Sequence, residues 1–343
     1  MRSEQRSLAE KELPPQGLCR IWPVAALLVG HRSTSGYAPS SRLAQAKFGA
    51  TNVIVVMFMT TKPVDWGDAV KKRLLSTKGE PLVFAEWRRV MFLHYQVEPS
   101  VVRAQLPPSF GLELHQGRAI VSLVVLTMRR FRANPAAPFW AQLLAAVSEE
   151  RFLNLRTYVR HDDEPGAFFF WSWLSRPWGL PLPIGPLGLT CDFARSEYHH
   201  EHENGGLWGV VRGRATCGRF AYCGHIEPRQ SFGPCSAGSL AEFALERFSG
   251  YFWHRGAGRV FRAWHPPWLQ APIEVEVEDD SLVVRAFPWF ADTRFVEAHY
   301  ASGFDEVWIG RPHRLPAPAL RLGAPNIIRV QSSSPPHIHP WQH

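Results

Sequence analysis

Hydrophobic and polar positions alternate with a period of two along most of the middle of this chain. RRVMFLHYQV (88–97) reads as a strand, and EPSVVRAQL (98–106) as a helical turn stopped by Pro107 and Pro108. GLELHQGRAIVSLVVLTMRRFR (111–132) reads as a hairpin turning at His115-Gln116-Gly117. Over 152–161 the alternation sends Asn154, Arg156, Tyr158 and Arg160 to one face and Leu155, Thr157 and Val159 to the other. Residues 167–175 return as the partner strand across HDDEPG. A wholly polar strand face is either wet or lines a pocket. Two further strands are predicted at 191–200 and 207–216, turning at Glu203-Asn204-Gly205-Gly206, with 217–223 continuing the second. IEVEVEDDSLVVRAF (273–287) predicts a hairpin around Asp279-Asp280, and FDEVWIG (304–310) the last strand.

Helical spacing is rarer. Ser239-Leu-Ala-Glu242 has the spacing of a capping box, and Leu240, Phe243, Ala244 and Phe248 follow at helical period, which makes this the main predicted helix. FWAQLLAAV reads as a helical turn, and WGDAVKKRLLSTK (66–78) as a short basic helix. WGLPLPIGPLG (178–188) must be loop. Many antiparallel strands with one main helix predict a mainly β, α+β fold, in which an antiparallel sheet curls into a barrel. The punctuation divides the chain into a poorly structured N-terminal extension (1–80), a β domain (81–315) and a loose C-terminal tail (316–343). A true start at Met57 or Met59 is an alternative for the extension.

Charge changes the picture less than it first suggests. The formal net charge is +8 over 343 residues. Residues 81–315 hold 24 arginines, no lysine and 24 acids, so the excess sits in the flanking segments. A nucleic-acid reader carries its charge on the folded module, so nucleic-acid binding is not expected. The apolar stretches at 21–30 and 52–59 are about half as long as a membrane span requires. Five cysteines without a C-x-x-C suggest reduced thiols in a soluble, cytoplasmic protein.

Several stretches, in order, resemble a family of uncharacterised bacterial proteins, the YqjF-like family, grouped with the acetoacetate-decarboxylase-like fold. They are FLHYQVEPSVVRAQLPPSFGLELHQGRAIVSLV (92–124), NLRTYV with PGAFFFWSWL (154–174), GLPL (179–182), SLAEFALERFSGYF (239–252) and HYASGFDEVWIGRP (299–312). The resemblance implies a cone-like antiparallel barrel with a central cavity and no established reaction. In the family pattern an acid often stands two residues before the asparagine; here that position is Phe152.

Acetoacetate decarboxylases work through a Schiff-base lysine, and every lysine here lies at or before residue 78. Arginine cannot replace it, because its guanidinium stays protonated. Schiff-base chemistry is therefore not expected. On the polar strand face, Arg156 is the candidate to hold a carboxylate in a fork, with Tyr158 and Asn154 orienting it. The competing reading pairs Arg156 with a structural acid such as Glu197 or Glu246. His94 matches the family's strand and is the candidate proton donor or acceptor, against a reading as a satisfied core histidine. Arg212 is a candidate second positive group, against a solvated strand edge. His200 and His202 in HHEHE share a strand face and invite a metal, yet the following Asn-Gly-Gly favours a solvated turn. Cys217, Cys223, His225 and Cys235 lack a usual zinc spacing, and no metal or cofactor is expected. No G-x-S-x-G, G-x-G-x-x-G or P-loop is present. The expected partner is a small acidic or keto-acid-like, partly apolar molecule. The alternative is a non-catalytic interaction module whose cavity is filled by its own aromatics.

Overall fold

A computed structural model describes residues 65–142, 149–175, 190–201, 205–214 and 218–316. The structure is mainly β, and its strand pairings explain why so many positions are apolar. Five long strands form a continuous antiparallel wall. They are, in spatial order, β13 (Arg294–Ile309), β1 (Val83–Val97), β3 (Ala119–Ala133), β4 (Glu149–His161) and β5 (Glu164–Leu174). From β5 the sheet runs two ways, and both steps are parallel, to β10 (Ser249–His254) and to β6 (Cys191–Glu201). The sheet is therefore mixed rather than antiparallel throughout, with the two-residue strands β2 (Gly111–Leu112) and β9 (Gly233–Pro234) at its margins.

Each route returns to the wall. Through β10 and β11 (Ala257–Trp264) the path reaches β13 again and closes a ring of seven strands. Through β6, β7 (Gly206–Gly213), β8 (Arg219–His225) and β12 (Leu269–Asp279) it reaches the same edge of β13 further toward its start, at Ala298–Tyr300, and closes a ring of nine. Because the two rings share the wall, both of its faces are buried. Leu93, Leu123 and Leu153 enter one hydrophobic core, and Phe92, Val124 and Tyr158 enter the other. Runs such as VMFLHY and AIVSLVVL are apolar without interruption for that reason.

Two glycines are needed for close approach. A Cβ on Gly166 would strike the Ser249 carbonyl and the Tyr251 ring where β10 lies parallel to β5. Gly303, at φ 101, faces the Trp87 carbonyl where β13 crosses β1, and any side chain there would clash.

Several expectations are corrected. Residues 219–225 form a strand of their own, β8, which folds back on β7 with Gly213 donating to the Gly218 carbonyl at 3.0 Å. The second half of 273–287 is helical (α5, Ser281–Ala286) rather than a return strand. Asp279 accepts from the Ser281 amide at 2.9 Å, the Ser281 hydroxyl ties to the Arg219 main chain, and Leu282 and Val283 turn into the core. Packing there overrides the β preference of Leu-Val-Val. The capped helix (α4, Leu240–Leu245) is only six residues long. Ser239 accepts from the Glu242 amide as expected, whereas the Glu242 carboxylate takes the Gly238 amide. The longest helix among the described residues is the basic one (α1, Trp66–Ser76), capped by Asp65. Two further short helices, α2 (Pro99–Gln105) and α3 (Phe139–Gln142), fall within the predicted helical turns. Residues 1–64, the 178–188 loop, His202 and the C-terminal histidines lie outside the described residues. No described helix is long and apolar enough to cross a membrane.

Candidate functional site

The ring of seven strands surrounds a pocket of about 170 Å³, and each of its strands contributes to the lining. The walls are mostly apolar, with Val90, Phe92, Leu126, Phe131 and Phe261 among them. The polar groups come from the face that the sequence pattern singles out. Phe152, Asn154 and Arg156 of β4 all line the pocket. The alternation of β4 explains this, since Leu153, Leu155 and Val159 belong to the core behind it.

Arg156 has no carboxylate partner among the described residues. Its Nη2 donates to the main-chain carbonyl of Ala244 at 2.9 Å, and its Nε is buried without an acceptor. The two acids proposed as structural partners are engaged elsewhere. Glu197 pairs with Arg195, and Glu246 accepts from the Trp268 amide at 2.9 Å. The guanidinium lies over the rings of Phe92 and Tyr158, with centroids at 5.4 and 5.7 Å. Asn154 is 7% exposed, and its amide makes no hydrogen bond among the described residues. The indole N–H groups of Trp87 and Trp268, also on the pocket wall, are buried without acceptors. The buried polar atoms left unsatisfied on this wall are thus all donors.

A second guanidinium, Arg247, lines the same pocket. It forms an ion pair with Glu113, and its Nε donates to the Phe243 carbonyl at 2.5 Å. Burial pulls its pKa down, and the charge of Arg156 adds to that, while Glu113 opposes both. Sequence reasoning missed Arg247 because it follows the end of α4, where no periodicity assigns a face.

Tyr158 is completely buried and is not part of the lining. Its hydroxyl hydrogen-bonds to Ser122 Oγ at 2.7 Å, and Ser122 Oγ in turn to His94 Nδ1 at 2.7 Å. His94 therefore lies on the same face of the wall as Phe92 but beyond the pocket lining, at the end of this chain, with Nε2 buried and unpaired. Its ring centroid is 5.2 Å from that of His299, which pairs with Glu297 at 3.2 Å. Burial holds His94 neutral, its pKa pushed well below the usual imidazole range, with the charges of His299 and Arg156 acting in the same direction. Arg212 is a correction. It is exposed on β7, a strand outside the seven, because Leu207, Gly209 and Val211 take the inward positions there.

His200 is also re-read. Its Nδ1–H donates to the Arg89 carbonyl at 2.9 Å, and its Nε2 accepts from the Tyr222 hydroxyl at 2.7 Å. Both ring nitrogens are used, so neither is available for a metal. Among the described residues no group of three His, Cys, Asp or Glu side chains is placed to hold an ion. Cys223 is disulfide-bonded, against the expectation of reduced thiols throughout, while Cys191 and Cys235 are free.

Residues 84–305 match the model of a family of uncharacterized conserved proteins, DUF2071. The chain belongs to DUF2071. A relative is the uncharacterized protein YqjF of Bacillus subtilis (strain 168), 24% identical over 194 residues, covering 56% of this chain and 76% of that protein. Solved structures similar to this DUF2071 chain include an acetoacetate decarboxylase-like enzyme from Sphingomonas wittichii RW1. Its identity is 14% and its TM-score 0.49, with 69% of this chain and 94% of that one covered. Another is the acetoacetate decarboxylase of Legionella pneumophila, at 13% identity and a TM-score of 0.47, covering 68% and 87%. The pocket of this DUF2071 member contains no lysine among its lining residues.

Proposed function

We propose that the ring of seven strands acts as a cone-like barrel within a domain spanning 81–315, and that its pocket binds a small carboxylic acid with a short apolar body. The carrying observation is Arg156, an unpaired guanidinium on the wall of an otherwise apolar pocket. Stripping water from a guanidinium costs several kcal/mol unless a partner restores the interaction, and a carboxylate is the partner whose geometry fits. Asn154 and the two indole N–H groups supply further donors to an acceptor-rich ligand. The pocket is smaller than the roughly 300 Å³ at which sites for drug-sized ligands begin, so a short keto or hydroxy acid fits better than a fatty acid.

In this reading Ser122, the cross-strand neighbour of Arg156, and Tyr158 flank the guanidinium on the same wall face, and neutral His94 anchors that chain rather than touching the ligand. Any chemistry proceeds without a Schiff base. Thermal-shift titration with pyruvate-sized keto acids, hydroxy acids and long-chain fatty acids tests the proposal. At 100 times Kd a ligand stabilises the fold by about 2.7 kcal/mol, a readily measured rise in Tm. A rise with at least one short acid is expected. The absence of any rise across the panel would leave the second reading, a non-catalytic interaction module in a soluble, cytoplasmic protein.

A further inference from the structure

On the opposite face of the wall, two neighbouring strands break alternation at the same level. In β1, Trp87 and Val90 both line the apolar pocket, so the two residues between them, Arg88 and Arg89, turn to the other side together. The β1–β3 register shifts between Arg88 and Met91, and Arg89 has a φ of 53°. In β3, Met128 and Phe131 line the apolar pocket, and Arg129 and Arg130 lie between them. Arg130 has a φ of 51°, and the register shifts back between Phe84 and Glu86. Left-handed backbone is uncommon for a residue with a Cβ and is maintained at a cost, characteristically at functional sites. Here each instance delivers a pair of adjacent arginines to one face, which a regular strand cannot do.

These residues border a second pocket of about 330 Å³, whose lining includes Arg88, Arg89, Arg129 and Arg151. Its acids do not balance its bases. Glu86, 5% exposed, is shared among Arg88, Arg129 and Arg130. Asp305 pairs with Arg88, and Glu149 with Arg151. Arg89 is exposed and has no acid partner among the described residues. With Arg130, which reaches Glu86 from outside the lining, five guanidiniums thus share three carboxylates. The bulge is pinned from beneath, because the donor to the Arg89 carbonyl is His200, itself 1% exposed and tied to Tyr222. The lining hydroxyl-bearing residues Thr127 and Ser302 offer uncharged donors at the same rim.

We propose that this arginine pocket is a binding site for the phosphoryl dianion of a small phosphorylated molecule, separate from the carboxylate pocket across the wall. A compact dianion matches the excess of two positive charges and can accept several guanidinium N–H groups at once, as a monocarboxylate cannot.

Titration of the full chain with inorganic phosphate tests this, by calorimetry and by shifts of the Arg89 and Ser302 amide signals, with sodium chloride at matched ionic strength as control. Saturable binding to the wild type is expected, weakened at least tenfold in Arg89→Gly and unchanged in Arg212→Gly. Glycine accepts the left-handed backbone, so Arg89→Gly removes the charge without straining the bulge. Should that variant fail to fold, Arg151→Gln is expected to show the same tenfold loss. No saturable phosphate binding, equal shifts with chloride, or undiminished affinity in the arginine variants would overturn the assignment.

Discussion

The guanidinium of Arg156 donates to the carbonyl of Ala244 at 2.9 Å, and that is its one hydrogen bond among the described residues. Ala244 lies in the short helix α4, which belongs to the same core as the pocket walls. The side chain is held in position by a neutral acceptor, and its charge is left over for a ligand. Arg156→Met removes one hydrogen bond and no ion pair. It should cost about 0.5–1.5 kcal/mol of stability while abolishing the thermal shift produced by short carboxylic acids. Urea unfolding and ligand titration on the same variant check both parts. A variant that unfolds outright would mean that Arg156 is structural.

Arg247 makes the contrasting case. It is paired with Glu113 in a nearly enclosed setting, and Glu113 has Arg160 as a second partner. Arg247→Met strands part of that carboxylate's charge, so it should cost about 1–3 kcal/mol, more than Arg156→Met. Equal costs for the two variants in urea unfolding would contradict the distinction between a structural and a free guanidinium.

Legibility in the sequence followed the range of the interactions involved. The β4–β5 hairpin was readable because its alternation and its turn are local, and the polar face of Asn154 and Arg156 followed from period two alone. The structural acid of the competing reading is not on Arg156, because whether a partner exists depends on α4 and on Trp268, which engages Glu246, both far away in the chain. His200 invited a metal reading weighed against a solvated turn, and it is instead fully buried. Its true partners, Arg89 and Tyr222, are 111 and 22 residues distant. Ring closure was beyond reading for a related reason. The parallel steps from β5 to β10 and to β6 leave no turn signature and are set by close approach at positions such as Gly166.

The chain from Tyr158 through Ser122 to His94 is fully buried, and its middle member matters most. Ser122→Ala leaves both a phenol and an imidazole nitrogen without partners, at roughly 1–3 kcal/mol for each group. Tyr158→Phe leaves the Ser122–His94 bond in place and should cost only about 0.5–1.5 kcal/mol. Denaturation of both variants should therefore rank Ser122→Ala as the more damaging, although each removes a single hydroxyl. The reverse order would show that the three do not act as a connected chain.

Lys71 sits with its Nζ 4.0 Å from the Trp264 ring centroid and 5.4 Å from that of Trp308. On β11, Phe261 and Ala263 line the pocket, so Trp264 lies on the strand's other face and holds the ammonium outside the ring. Borohydride reduction in the presence of a β-keto acid should leave the intact mass of the chain unchanged. A trapped lysine adduct would restore Schiff-base chemistry as the working mechanism.

Acid should destabilise the protein before its carboxylates are titrated. Burial lowers the pKa of both His200 and His265 from 6.5 to about 4, although each is pulled upward by hydrogen bonds to the main chain. His94 is displaced in the same direction. Below pH 6.5 the unfolded chain takes up protons that these neutral, buried rings refuse, so the unfolded state binds more protons and unfolding free energy falls with pH down to about 4. At pH 5 the loss is about 2 kcal/mol for His200 and about as much for His265. Glu246, raised by burial, works against this trend only as its own carboxyl protonates. Urea unfolding at pH 7 and pH 5 should therefore show a drop of several kcal/mol. His200→Asn can still donate to the Arg89 carbonyl but cannot be protonated, so it should be less stable than wild type at pH 7 and lose about 2 kcal/mol less on going to pH 5. An unaltered pH dependence in that variant would mean that His200 is not the neutral pin beneath the arginine bulge.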